Sequence, residues 1–313
     1  MKSPIRLASL LTALSLLSLN VHAELSYTGQ LQQELISWTS PLPLASGFQI
    51  RDGGERQLAS HDVEGASYLA LLSTFHLTPN YQGLARFQFD LAQETGLEQY
   101  EAYVGLKGQS SSWRMGTISS PYKSVTADWD PFLATFMQAR GNGGASLQNN
   151  GYVKSSIVYQ AEWWASDVAL LWSPENGNSL SLAHHLTKWD FALAINSDQS
   201  GTTQNRATKL GVRYHSNEWM SAFQYESLKN GTTPASNAYI NLFKQDGKSE
   251  YGGSLGVYRS DSATELDLNY IALGMKYAIA KNNIIHAGYR VSSAPSDGSQ
   301  SEKAFGLGFR YSF

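Results

Sequence analysis

Phe305-Gly-Leu-Gly-Phe-Arg-Tyr-Ser-Phe313 are the last nine residues of the sequence. Phe305, Leu307, Phe309, Tyr311 and Phe313 occupy alternate positions, with Gly306, Gly308, Arg310 and Ser312 between them. Side chains of a strand alternate between faces, so one face is aromatic or aliphatic and the other is small or polar. In water an edge strand built this way invites aggregation. In a bilayer the same alternation suits a barrel strand, apolar toward lipid and polar toward the lumen.

The other end of the sequence agrees with a membrane destination. Lys2 and Arg6 precede an apolar run from Leu7 to Leu19, and Val21-His22-Ala23 offers small residues where a signal peptidase cuts. Residues 1–23 therefore read as a secretory signal, too short to span a bilayer with its own flanks. Removing them leaves 290 of the 313 residues, with 21 basic against 26 acidic side chains and a net charge of −5. There is no basic block to bind nucleic acid. Cysteine is absent, which excludes disulfide staples, thiolate metal sites and cysteine nucleophiles. No later stretch approaches the roughly 20 apolar residues of a spanning helix.

Alternation recurs along the chain. Ala85, Phe87, Phe89 and Leu91 alternate with Arg86, Gln88 and Asp90. Similar dyads run through Tyr100–Lys107, Trp189–Asn196, Lys209–His215 and Ile284–Val291. Short turns are legible at Pro79-Asn80, Gly108-Gln109-Ser110, Ala165-Ser166, Thr187-Lys188, Ser216-Asn217-Glu218, Gln245-Asp246-Gly247 and Lys281-Asn282-Asn283. Longer polar stretches separate them at Thr39–Glu64, Ser119–Asn150, Ser197–Asn205, Asn230–Asn237 and Ser292–Lys303. Short turns alternating with long loops are the hairpin rhythm of a transmembrane antiparallel β-barrel, an all-β fold. The spacing predicts about sixteen strands within residues 24–313, with fourteen or eighteen as the neighbouring counts. The patterning is weakest near Asn178–Leu186 and Tyr239–Gln245. Trp113, Trp163, Trp164, Trp189 and Trp219 sit beside short turns, and Trp38 and Trp172 at opposite strand ends. Two such belts are what a bilayer's interfaces select.

A barrel of this size encloses more room than its side chains fill, so it holds water. A loop folded inward then sets the narrowest cross-section. The longest irregular stretch, residues 119–150, carries Asp128 and Asp130 around Trp129, apolar Pro131, Phe132 and Phe136, and a Gly141/Gly143/Gly144 return. A second reading leaves this loop outside, and Asp-Trp-Asp-Pro is also common turn chemistry. Basic residues at polar positions of the strands are Arg86, Arg114, Lys154, Lys209, Arg213, Lys276, Arg290 and Arg310. Arg86, Arg114, Lys154 and Arg213 are expected on the wall of a constriction, with Asp128 and Asp130 on the loop. The acidic loop favours cations and the basic wall favours anions, so the sign of any preference stays open.

A final strand ending in Phe resembles those of bacterial outer-membrane proteins, and the whole layout resembles the Gram-negative general-diffusion porins. Trp113-Arg114-Met115-Gly116-Thr117-Ile118-Ser119-Ser120-Pro121-Tyr122 is similar to the strand-to-loop passage that opens their third loop, with Arg before Met-Gly where that passage has Gly-Arg. The resemblance implies a homotrimer in the outer membrane, surrounded by lipid and lipopolysaccharide and passing small hydrophilic solutes. It also implies that the assembly machinery reads the final strand through Phe313, and that loop 119–150 narrows the pore. It implies no cofactor, no metal and no catalytic residue. A substrate-specific porin is the alternative, with Tyr103 and Trp129 as aromatics along a sugar path or the basic residues binding anions. An outer-membrane hydrolase is the third reading. Its raw material is His184-His185, His61-Asp62, and Ser73 with His76, without a nucleophile elbow, zinc-binding spacing or phosphate loop.

Overall fold

A computed structural model describes residues 23–39, 47–51, 67–91, 98–139, 152–200, 203–261, 267–293 and 301–313. Its strands are β1 (Ala23–Thr39), β2 (Gly47–Arg51), β3 (Tyr68–Thr78), β4 (Tyr81–Asp90), β5 (Glu98–Lys107), β6 (Ser111–Ser119), β7 (Tyr152–Trp163), β8 (Ser166–Ser173) and β9 (Gly177–His185). They continue as β10 (Trp189–Ser200), β11 (Thr203–His215), β12 (Trp219–Asn230), β13 (Thr233–Asp246), β14 (Ser249–Ser260), β15 (Leu268–Ala280), β16 (Asn283–Ser293) and β17 (Ser301–Ser312). No helix among the described residues is long and apolar enough to cross a membrane; the strands do the crossing.

Every pairing is antiparallel, and the sheet closes on itself where β1 meets β17, Gln30 opposite Ser312 and Thr39 opposite Lys303. The other edge of β1 pairs with β3 through Ala23–Gln30 and with β2 through Glu34–Trp38. β2 and β3 thus lie end to end along one strand position, and the barrel has sixteen places. Closure matters because an unpaired backbone group in hydrocarbon costs several kcal/mol. The last residue joins in: the amides and carbonyls of Gly29 and Phe313 exchange hydrogen bonds of 2.8 and 3.0 Å.

The two faces sort as the dyads require. Phe305, Leu307, Phe309 and Tyr311 are exposed on the outside, as are Leu193, Phe223, Leu255 and Leu273. Facing inward are the register partners Lys209 and Glu226, Gln224 and Tyr239, and Asn241 and Ser254. Leu25 to Tyr311 form a continuous apolar exterior because lipid, unlike water, imposes no penalty there. All seven short turns lie at one end of the barrel, where β1 begins and β17 finishes.

Two features differ from the sequence reading, while two strands of weak patterning agree with it. Ser197–Asn205 and Asn230–Asn237 are not loops: β10 and β11 pair out to Ser200 and Thr203, and β12 and β13 out to Asn230 and Thr233. Strands that rise past the lipid lose the apolar face that marks them in sequence, so polar stretches there still pair. β9 and the second half of β13 are regular strands despite weak patterning. In β13, Tyr239 and Phe243 point inward and are buried, which blurs the alternation. Trp38 is buried inside as well and belongs to no belt. Trp113, Trp163, Trp164, Trp172, Trp189 and Trp219 are exposed at the outer surface.

Leu255, exposed at the middle of β14, tests which face meets lipid. Leu255→Lys is expected to lower the free energy of folding into lipid vesicles by about 2–4 kcal/mol. Gln88→Lys, on the inner face, is expected to leave it nearly unchanged in the same urea titrations.

Candidate functional site

Beyond β6 the chain turns into the barrel. Ser120 caps a single helical turn, α1 (Pro121–Ser124), its hydroxyl accepting from the Lys123 amide, and a 3₁₀ turn follows at Ala127–Trp129. Pro121 at the start of α1 lacks an amide that would have had no partner there. From Tyr122 to Ala139 the segment lies against the inward faces of β9–β17 and β1.

Its backbone has little secondary structure to satisfy it, so the wall does so. Lys209 Nζ donates to the Tyr122 carbonyl at 2.8 Å, Asn241 Nδ2 to Trp129 at 2.9 Å and Arg310 Nη2 to Leu133 at 3.0 Å. Gln32 Nε2 donates to Ala134 at 2.5 Å, and Arg290 Nη1 to Phe136 at 3.2 Å. In the other direction the Phe136 amide donates to the Glu34 carboxylate at 3.2 Å, and the Tyr122 amide to Ser179 Oγ at 3.0 Å. Charges buried in doing this are paired, as desolvation demands. Glu34 Oε1 lies 2.6 Å from His286 Nε2, and Lys209 Nζ 3.4 Å from Glu226, which also accepts from the Tyr122 hydroxyl.

Apolar side chains fill what remains. Phe132, Phe136 and Met137 cluster with Ile36, Trp38, Phe243, Ala272 and Ala304. Space for them comes from a row of four glycines, Gly252, Gly274, Gly288 and Gly306, which are direct partners across β14–β17. A Cβ on Gly288 would stand 2.0 Å from Met137 Sδ, and one on Gly306 2.8 Å from the Phe136 ring. Gly211 leaves similar room for Trp129.

The residues singled out in the sequence have separate fates. Asp128 Oδ2 meets Arg213 Nη1 at 2.6 Å, and Arg213 Nε meets Asp190 at 2.7 Å, with the guanidinium 5.2 Å from the Trp129 ring centre. Segment and wall are thus bridged at Arg213. Asp130 is buried, and its carboxylate accepts from the Phe132 amide at 3.0 Å and the Ala139 amide at 2.6 Å. Its position is a brace within the segment. Arg86 pairs with Glu101 at 2.9 Å and Gln88 at 2.7 Å. Arg114 donates to Gln160 at 3.1 Å and lies over Tyr103, 5.6 Å from the ring centre. Arg86 and Arg114 stand on the wall the segment leaves uncovered, with the register partner Tyr103 between them. Lys154 is exposed beside a kink at Ser155, whose φ is 50°. Lys209, Arg290 and Arg310 hold the segment, while Lys276 pairs with Glu250 at 3.1 Å. A cavity of about 560 Å³ lies between the segment's Asp128, Pro131 and Ala134 and the wall's Tyr68, Gln88, Glu250 and Arg310.

Sequence reasoning missed Gln32, Glu34, Asn241 and His286. Their signal was present in the polar inward positions of β1, β13 and β16, but nothing in a dyad says which polar residue will meet a loop. Trp129 is buried, so it does not line a sugar path. His184 and His185 face opposite ways, as neighbours in a strand must: His184 Nδ1 meets Ser166 Oγ at 2.8 Å, and His185 meets Asp167 and Asp190. His184 has no carboxylate partner among the described residues to complete a triad. Ser73 and His76 sit at opposite parity on β3. His61, Asp62, Gly141, Gly143 and Gly144 lie outside the described residues.

Gly211→Ala is expected to destabilise the barrel by about 1–3 kcal/mol because the new methyl meets the Trp129 ring. In a Trp129→Ala background the same change is expected to cost close to nothing, and a double-mutant cycle of unfolding free energies measures the difference.

No protein-family model matches this sequence, and no curated protein sequence matches it. Solved structures do. An anion-selective porin from Comamonas acidovorans superposes with a TM-score of 0.76 at 14% identity, over 93% of this chain and 100% of that one. The Salmonella typhi OmpF structure, solved with daunomycin, gives 0.69 at 13% identity over 92% and 97%. OmpT, an outer membrane protein of Vibrio cholerae solved in a trimer form, gives 0.69 at 14% over 93% and 99%. By these likenesses, and by its own closed ring of strands, the chain has the sixteen-stranded barrel fold of the outer-membrane porins.

Proposed function

We propose that the protein is an outer-membrane channel through which small hydrophilic solutes and ions diffuse passively. The observation that carries this is the lodged segment Tyr122–Ala139: it covers the inner wall on one side and leaves the arc with Arg86, Tyr103 and Arg114 facing open space. Charged groups facing that space keep some exposure, the Asp128 side chain 71% and that of Arg86 22%, as a wet passage allows. The narrowest ring then lies between the segment, including Asp128, and the arginine-bearing arc. Solutes cross down their own gradients, limited by size and charge.

The rest of the reading follows from that destination. Residues 1–23 direct export across the inner membrane and are removed. The barrel sits among outer-membrane lipid and lipopolysaccharide, as a homotrimer, after the assembly machinery has read the final strand and Phe313.

Purified protein in a planar bilayer is expected to insert in uniform conductance steps. Replacing residues 127–139 with a short Gly-Ser turn is expected to raise the step size severalfold and to admit larger sugars in liposome-swelling assays. Folded protein that inserts but never conducts would refute the channel.

A further inference from the structure

Asp190 is the meeting point of a cluster that the loop bridge uses only in part. Besides Arg213, it receives His185 Nδ1 at 2.8 Å and His215 Nε2 at 3.3 Å. His185 Nε2 also faces Asp167 at 3.3 Å, and Arg213 reaches on to Asp128. These groups come from β8, β9, β10, β11 and the lodged segment, and by register all the strand residues face inward. Asp190 is buried, its side chain 3% exposed, while those of His185, His215 and Asp167 are 43, 41 and 43% exposed and that of Asp128 is 71% exposed. The cluster is therefore wetted by the passage and close to its short-turn mouth, where the β9–β10 and β11–β12 turns lie. Charges nearest the cluster at that mouth include Glu162, paired in register with Asp167, Lys188 and Glu218 in the turns, and Lys244, which stacks on Trp219; Lys107, Asp246, Lys248 and Lys281 lie at other turns of the same end.

We propose that His185 and His215 make the ion preference of the channel depend on pH, turning it toward anions as pH falls. This rests on the channel reading above and names how its charge selectivity is set. With both imidazoles neutral, the three carboxylates Asp128, Asp167 and Asp190 outweigh the single guanidinium of Arg213. With both protonated, the cluster is balanced. Imidazole is the side chain whose ordinary range, near pH 6.5, makes this change at physiological pH. On the acid side the positive field of the Arg86 and Arg114 guanidiniums is left unopposed by the cluster. At 0.1 M salt the field of each charge reaches about 10 Å, enough to act on an ion in a narrowed passage; at 1 M it reaches about 3 Å.

The test is the reversal potential of the purified full-length channel in a planar bilayer under a tenfold potassium chloride gradient, read from pH 5 to pH 8. The potassium-to-chloride permeability ratio is expected to fall by about twofold or more on acidification from pH 8 to pH 5. The effect is expected to shrink when the salt is raised. His185→Gln and His215→Gln should each remove part of the change, and the double variant should abolish it while conductance steps persist. A ratio that does not change between pH 5 and pH 8, or a change that survives in the double variant, would overturn the proposal. Absence of conductance at every pH would instead overturn the channel reading.

Discussion

Lipid offers a peptide group nothing to bond to, and every other property of this barrel is arranged within that constraint. It explains why β1 is shared between β17 on one edge and β2 and β3 on the other, and why Phe313 is tied to Gly29 through both its amide and its carbonyl. It also explains the exterior. Once the backbone is satisfied by neighbours, an outward side chain has only to be apolar, so Leu, Phe, Ile and Tyr interchange freely there. The interior carries the specificity.

Inside, the same demand returns for a segment without regular structure. Five carbonyls between Tyr122 and Phe136 each find a donor on the wall: Lys209, Asn241, Arg310, Gln32 and Arg290. Those donors are long or amide-bearing because they must cross from the sheet to a backbone that stands off it. Two are arginines, whose planar forks hold geometry at little entropic cost. The result is a packed side, with aromatic and charged groups both buried, and an opposite side where Arg86 and Arg114 flank Tyr103.

The fold was largely legible because it follows from period-two patterning and turn chemistry, both local. Phe305–Phe313 announces its faces without help, and six of the seven short turns carry Gly, Asn, Asp or Ser, Thr187-Lys188 being the exception. Patterning faltered where the inner face stopped being polar. Tyr239 and Phe243 read as ambiguous, and Trp38 as an interfacial residue, because each is covered by a segment about a hundred residues away or more. The site was legible in its residue types and not in its pairings. That Asp128 would find Arg213, and Asp130 the amides of Phe132 and Ala139, depends on how a loop lies in three dimensions. The glycines of β14–β17 were visible as small residues on a polar face, but only the register places them side by side.

That register has a consequence for the order of assembly. The segment between β6 and β7 is synthesised before most of its seat: its partner Arg290 lies 154 residues after Phe136, and Arg310 lies 177 after Leu133. Two further partners, Gln32 and Glu34, lie on β1, the strand that closes the ring. The four-glycine floor is finished only when β17 is in place. Contacts of such long range come late, since their loop-closure entropy is met only when the intervening chain is ordered. Closing the wall and seating the segment are therefore nearly one event, and a half-built barrel has no floor on which its own obstruction can rest.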